Sequence, residues 1–175
     1  MIVMRQCFRL LGLILFVGLC IISCSPIRNV KPCNTSDFWG LDSLAFLGFP
    51  NDNLSYEGNA IFKRIMTQAD SIQSCVIEKI RDTTSIGYKV EDTYVYTVSD
   101  MAILLLPHIS KGRINRWDLL YDEFKIARKS SVFYQAYYDV FFNNEPMINY
   151  KNRIRFYSAA KKKYSRELRK RSLPR

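Results

Sequence analysis

The stretch SDMAILLLPHI, Ser99–Ile109, is apolar on nearly every side from Met101 to Leu106. A helix at a protein surface keeps a polar stripe, whereas one that is apolar all round is buried by neighbours. This segment therefore predicts a buried helix. Ser99 is the expected N-cap, and Asp100 sits in the first turn, where the helix dipole favours an acid. Pro107 is expected to interrupt the helix, and Lys111-Gly112 to close it.

Candidate neighbours lie on both sides. Upstream, Ile61, Ile65, Ala69, Ile72, Val76 and Ile80 recur at steps of three and four, predicting one helix over Asn59–Lys79 with Asn59 as its cap. Gly87 punctuates the chain after it, and YKVEDTYVYTV, Tyr88–Val98, alternates as a hairpin or one irregular strand. Downstream, Asn115 caps a helix whose stripe is Trp117, Leu120, Tyr121 and Phe124, ending in Ala127 or Arg128. Val132–Phe142, with its run FYQAYYDVFF, predicts an aromatic helix that is either core or partner-facing. A last helix is expected from about Asn149 to Lys170. Its seam would be Met147, Tyr150, Ile154, Tyr157, Lys161, Tyr164 and Leu168, with Phe156 and Ala160 widening the face. The sum is a mainly α fold, an irregular bundle of about five helices with one small β hairpin or strand.

Charge is unevenly spread. Residues 150–175 hold eleven bases and one acid, while residues 24–149 sum to −2. The basic pI belongs to the C-terminal helix, which points to an anionic surface or partner. Arg153, Arg155, Lys161, Lys162, Lys163, Arg166, Arg169, Lys170 and Arg171 are the candidate contacts.

The N-terminus predicts an address. Arg5 and Arg9 precede an uncharged run from Leu10 to Ile22, followed by the small Ser23 and then Cys24 and Pro26. This is the layout of a secretory signal, and the run is short of the roughly 20 apolar residues of a spanning helix. The residues IISC, Ile21–Cys24, resemble a bacterial lipobox. The resemblance covers about the first 26 residues and implies cleavage before Cys24, a thioether to diacylglycerol on its thiol, and usually an acylated amine (palmitate or a similar chain). Such chains together anchor a protein stably. The implied layout is a signal peptide over 1–23, a lipidated tether over 24–36, a helical domain over 37–149 and a basic helix over 150–175. The expected location is the cell envelope, as a membrane-anchored lipoprotein on the outer membrane facing the periplasm. Removal of the signal takes Cys7 and Cys20 with it. An oxidising envelope then permits a bridge between Cys33 and Cys75. The alternative is Cys75 as a small buried hydrophobe and Cys33 as a free tether thiol.

Catalytic signals are sparse. His108 follows Pro107 at a helix end and is read as a capping histidine rather than a ligand or base. Cys33 and Cys75 lack chelating spacing, so no metal or cofactor is expected. Glu91-Asp92 and Asp122-Glu123 are adjacent acids, better read as solvated turn and ion-pair residues than as facing glycosidase carboxylates. The expected function is a non-enzymatic, lipid-anchored envelope protein with a helical protein-interaction domain, of which an immunity or inhibitor-type lipoprotein is one version. The alternatives are an accessory lipoprotein of a secretion or pilus machine, or a cell-wall hydrolase using Glu91, Asp92 or His108. Nucleic acid is not an expected partner outside the cytoplasm.

Overall fold

A computed structural model describes residues 56, 58–90, 94–126 and 133–172, all of them within the compact unit Cys33–Arg175. The signal segment, the lipobox, Cys24, Cys33, Glu91 and Asp92 lie outside the described residues. The architecture is a mainly α fold with one small antiparallel hairpin. In chain order its elements are α1 (Ala60–Met66), α2 (Ala69–Lys79), β1 (Ser85–Val90), β2 (Tyr94–Thr97), α3 (Val98–Ile109), α4 (Arg116–Phe124), α5 (Phe133–Phe141) and α6 (Pro146–Ser172).

The apolar segment before Pro107 lies in α3, which is buried all round from Val98 to Leu106 and again at Ile109. Its cap differs from expectation. The helix starts two residues earlier, so the cap is Thr97, whose N–H and hydroxyl both donate to Asp100 Oδ2, at 2.8 and 2.7 Å. Asp100 is thus the third residue of the helix and closes a capping box. Ser99 acts elsewhere. It is fully buried, and its hydroxyl donates to the Ile80 carbonyl at 2.6 Å. Pro107 does not end α3, which continues to Ile109. Closure comes from Lys111 and Gly112, both left-handed at φ 53° and 76°, with Gly112 N–H donating to the Pro107 carbonyl.

The single helix expected over Asn59–Lys79 is two. Asn59 does cap the first, accepting from Phe62 N–H at 2.9 Å. Thr67 and Gln68 then break the ladder: the Thr67 hydroxyl donates back to the Arg64 carbonyl, and the Ser71 hydroxyl to that of Gln68. Hydroxyl side chains that compete for backbone carbonyls weaken a helix at that point. The apolar face survives the break, with Ile65, Ala69, Ile72, Val76 and Ile80 all buried. In the hairpin, Lys89 pairs with Val95 and Ser85 with Thr97, with a register shift between. Gly87, read as punctuation, lies inside β1 at φ 74°, a conformation that glycine tolerates, within the stretch where the register shifts.

The aromatic helix α5 is core on one side. Ala136, Tyr137, Val140 and Phe141 are buried, while Gln135 and Asp139 are exposed. Tyr138 of α5 and Phe142 just after it receive the hairpin: Tyr94 stacks on Tyr138 at 4.6 Å, and Tyr96 lies 4.9 Å from Phe142.

Helix α6 begins at Pro146, three residues before the expected start, in the first-turn position that proline favours. Its buried line is Arg153, Phe156 and Ala160. The core therefore takes the widened side of the expected face, Phe156 and Ala160, with Tyr157 and Tyr164 of the seam packed partly buried beside it, while Met147 and Tyr150 are 62% and 47% exposed. The cause is electrostatic. Asp100 is fully buried at the start of α3, and Arg153 meets it in a two-pronged pair, Nη1 to Oδ1 at 2.7 Å and Nη2 to Oδ2 at 3.2 Å. Tyr137 donates its hydroxyl to Asp100 Oδ1 at 2.6 Å, and Arg153 also donates to the Phe141 carbonyl. One carboxylate thereby joins α3, α5 and α6.

Arg153→Met leaves that carboxylate buried without its cation. Urea denaturation should show a loss of about 3–5 kcal/mol, the usual consequence of stranding one member of a buried pair. Lys162→Met, on the exposed side of the same helix, should stay within about 0.5 kcal/mol of the parent.

Candidate functional site: the outer face of the C-terminal helix

With Arg153, Phe156 and Ala160 turned inward, the opposite side of α6 is determined by helical geometry. Lys151, Arg155, Lys162, Arg166 and Arg169 follow one another at steps of four, seven, four and three, and all five are exposed. Together they form a basic stripe along most of the helix. Lys170 and Arg171 extend it into the last turn, where cations complement the helix dipole.

The nine bases expected at an anionic surface therefore separate into groups. Arg153 is corrected: it is 3% exposed and committed to Asp100. Burial alone would lower its pKa, but the Asp100 carboxylate outweighs that and the net shift is upward. Arg153 is a structural cation with no access to a surface. Arg155 is exposed but partly engaged, donating Nε–H to Glu123 Oε1 at 2.8 Å and a second N–H to the Glu123 carbonyl, with its guanidinium over Phe124. That pair ties α6 to the end of α4. Lys161 belongs to a clasp with α2. Its ammonium donates to Tyr157 Oη at 2.8 Å and to Glu78 at 3.0 Å, while the Tyr157 hydroxyl donates to the same Glu78 oxygen at 2.8 Å. Those hydrogen bonds to Tyr157 and Glu78 raise the Lys161 pKa. Burial works against the Glu78 charge, yet bonds from Tyr157 and Lys161 hold its carboxyl below the ordinary value. Lys163 is half-buried and Lys170 pairs with Glu167 at 3.0 Å. At the start of α2 the Asp70 carboxyl is held low by Lys111 first, with smaller contributions from the Arg171 and Arg113 charges. Lys162, Arg166 and Arg169 form the exposed centre of the stripe.

The residues weighed for catalysis serve other ends. His108 lies edge-on against the stacked pair Tyr56 and Phe62, with ring centroids 5.6 and 5.3 Å away. Its pKa is lowered, first by burial and then by the Arg116 charge. Arg116, buried and unforeseen, donates to the Leu104 carbonyl at 3.0 Å and so fastens α4 to α3. Of the adjacent acids Asp122 and Glu123 on α4, Asp122 is exposed and Glu123 holds Arg155. Cys75 is fully buried in α2 and disulfide-bonded. Among the described residues no three His, Cys, Asp or Glu side chains gather as a metal site, and no helix is long and apolar enough to cross a membrane.

Sequence reasoning missed the inward turn of Arg153. The signal was its spacing: Arg153, Phe156 and Ala160 follow at three and four, a core pattern with an arginine in it. An arginine in such a line calls for a buried acid, and Asp100 directly precedes the apolar run Met101–Leu106. Comparison with family models, with curated proteins and with solved structures finds no match.

The His108 shift predicts a pH dependence. The folded protein favours the neutral imidazole more than the unfolded chain does. Its contribution is complete above the ordinary value of 6.5 and is lost as pH falls through the lower folded value. His108→Gln should therefore flatten the fall in thermal midpoint below about pH 6.5, as followed by circular dichroism.

Proposed function

We propose that the chain is a lipid-anchored protein of the cell envelope, non-enzymatic, whose helical domain serves to bind another protein and whose C-terminal helix rests on an anionic surface. The observation that carries the surface contact is the one-sided stripe of Lys151, Arg155, Lys162, Arg166 and Arg169 on α6. A helix that only needed solubility would have no reason to concentrate one sign of charge on its outer side, since mixed charges solubilise as well. Membrane anchorage rests on IISC and the short apolar run before it. The non-enzymatic reading gains support from the structural employment of His108 and Glu123, two of the few groups suited to acid–base chemistry.

The two halves of the proposal reinforce each other physically. A lipid anchor raises the local concentration of the domain near the bilayer, so a weak electrostatic contact becomes effective. Each lysine or arginine near an anionic leaflet contributes about 1 kcal/mol, within a Debye length of about 10 Å. Lipopolysaccharide and acidic phospholipid share this chemistry. The protein partner would meet a separate surface, for which the exposed Met147 and Tyr150 at the start of α6 are apolar candidates.

Two measurements test it. Cys24→Ala in the full-length chain should accumulate as an unlipidated, uncleaved precursor of higher mass, and normal maturation of that variant would refute the anchor. Lys162→Glu, Arg166→Glu and Arg169→Glu together should weaken co-sedimentation with vesicles containing anionic lipid by about tenfold or more, with little effect on zwitterionic vesicles. Equal binding by the reversed and parental proteins would remove the surface contact while leaving the anchor standing.

A further inference from the structure

The side of α6 that carries the bases does not begin with a base. Met147 lies four residues before Lys151, which lies four before Arg155, and all three are exposed. At roughly 100° per residue, Met147 falls about 40° from Lys151 and Arg169 around the helix axis and about 60° from Lys162. The buried Arg153, Phe156 and Ala160 fall about 120–180° away. Tyr150 and the half-buried Ile154 follow Met147 at steps of three and four, along the adjoining flank. The stripe therefore opens on an apolar end, where Met147 and Tyr150 are 62% and 47% exposed.

Single exposed apolar side chains are ordinary on protein surfaces. What sets these two apart is their alignment with the bases, because a residue on the line of the stripe meets whatever the stripe meets. That alignment decides between a protein and the bilayer as their contact. We infer that α6 meets an acidic phospholipid leaflet obliquely, with Met147 and Tyr150 sunk below the headgroups and Lys162, Arg166 and Arg169 resting on the phosphates. The inference rests on the proposed contact between the stripe and an anionic surface, and states how that contact is made.

Charge and apolar surface act at different depths in such a leaflet. The pull between bases and phosphates is screened within about 10 Å, so it brings the helix to the surface and holds it there. Interfacial helices then bury their apolar side about 5–10 Å into the boundary between headgroups and acyl chains. The unbranched methionine side chain fills irregular space of that kind. A tyrosine at the same level keeps its ring among the chains and its hydroxyl among the headgroups. Lys151 can lay its aliphatic stem along the boundary while its ammonium reaches a phosphate. Glu145, exposed just ahead of the helix, opposes the approach, and Lys151 and Arg155 outweigh it. From Met147 to Arg169 the axis runs about 33 Å, so a tilt of roughly 10–15° sinks the first turn and leaves the last at headgroup level.

The test uses the full-length protein reconstituted in vesicles. A lipid anchor would hold the chain on any bilayer, so the measurement reads depth rather than binding. An environment-sensitive fluorophore is attached at Met147→Cys or, as a reference, at Ser158→Cys, which is exposed among the bases and leaves every one of them in place. The parental chain is labelled in parallel to subtract background. On vesicles containing phosphatidylglycerol the Met147 label should shift to the blue, lose quenching by aqueous iodide and be quenched by a nitroxide on the acyl chain. The Ser158 label should be quenched best by a headgroup nitroxide. On phosphatidylcholine vesicles both labels should stay open to iodide. Tyr150→Glu should abolish the blue shift of the Met147 label, and an unaltered shift would overturn the role given to Tyr150. A Met147 label open to iodide while the Ser158 label is protected would overturn the insertion and leave the surface contact standing. Both labels open on both kinds of vesicle would remove the surface contact as well. Protection of the Met147 label in native membranes but not in protein-free vesicles would assign that end of α6 to a protein and overturn the inference.

Discussion

A carboxylate buried at the N-terminus of α3, the most apolar of the described helices, is the constraint around which the rest is arranged. Asp100 is fully buried, yet it is needed to close the cap of α3. A buried charge of that kind is tolerable only if cation and hydrogen bonds meet it in good geometry. Here Arg153 supplies the cation, Tyr137 a short hydrogen bond, and Thr97 both its N–H and its hydroxyl. Burial and the neighbouring Asp100 charge push the Tyr137 hydroxyl well above its ordinary pKa, so it remains a donor. Three helices are thereby held at one point, and the rotation of α6 about its own axis is set there. Apolar packing alone would have been less selective, because the Met147–Tyr150–Ile154 side of α6 offers comparable hydrophobicity.

That rotation is what links the core to the surface. A helix has one inner and one outer side, and choosing one chooses the other. By taking Arg153, Phe156 and Ala160 inward, the fold exposes Lys162, Arg166 and Arg169 in a line. The two clamps at the edges of α6, Arg155–Glu123 toward α4 and Lys161–Tyr157–Glu78 toward α2, involve exposed or half-exposed groups and add modest energy. Their effect is more one of orientation, since each spends an acid of the body on a base of the helix. Lys162, Arg166 and Arg169, on the side turned away from the body, form the centre of the stripe.

The fold class and the burial of α3 were legible in the sequence because both follow from periodicity and composition, which do not depend on partners far along the chain. The caps at Asn59 and Asn115 were legible for the same reason, being contacts over two or three residues. The misjudged features depend on longer range. Ser99 is an equally good cap by type, but α3 starts at Val98 because Val98 and Ser99 donate their N–H groups to Thr84 and Asp82, carbonyls beyond the end of α2. The break at Thr67–Gln68 was hidden by an apolar face that continues through it. Of the nine bases expected at a surface, Arg153 could not be sorted from the others by charge alone. Its destination was set by an acid 53 residues away.

The same division governs what the candidate surface can do. A stripe built from side chains that the core does not use can change without loss of the fold, whereas Arg153, Arg116 and Asp100 cannot. Charge on the outer face of α6 is therefore free to be tuned to whatever it meets, while its direction is fixed from within. An interaction surface needs both properties: freedom in chemistry and rigidity in placement. A long helix with an ion pair on its inner side and exposed bases on its outer side satisfies the two together. The convex face of such a helix suits a broad anionic surface better than a small ligand, which would need concave walls to be held.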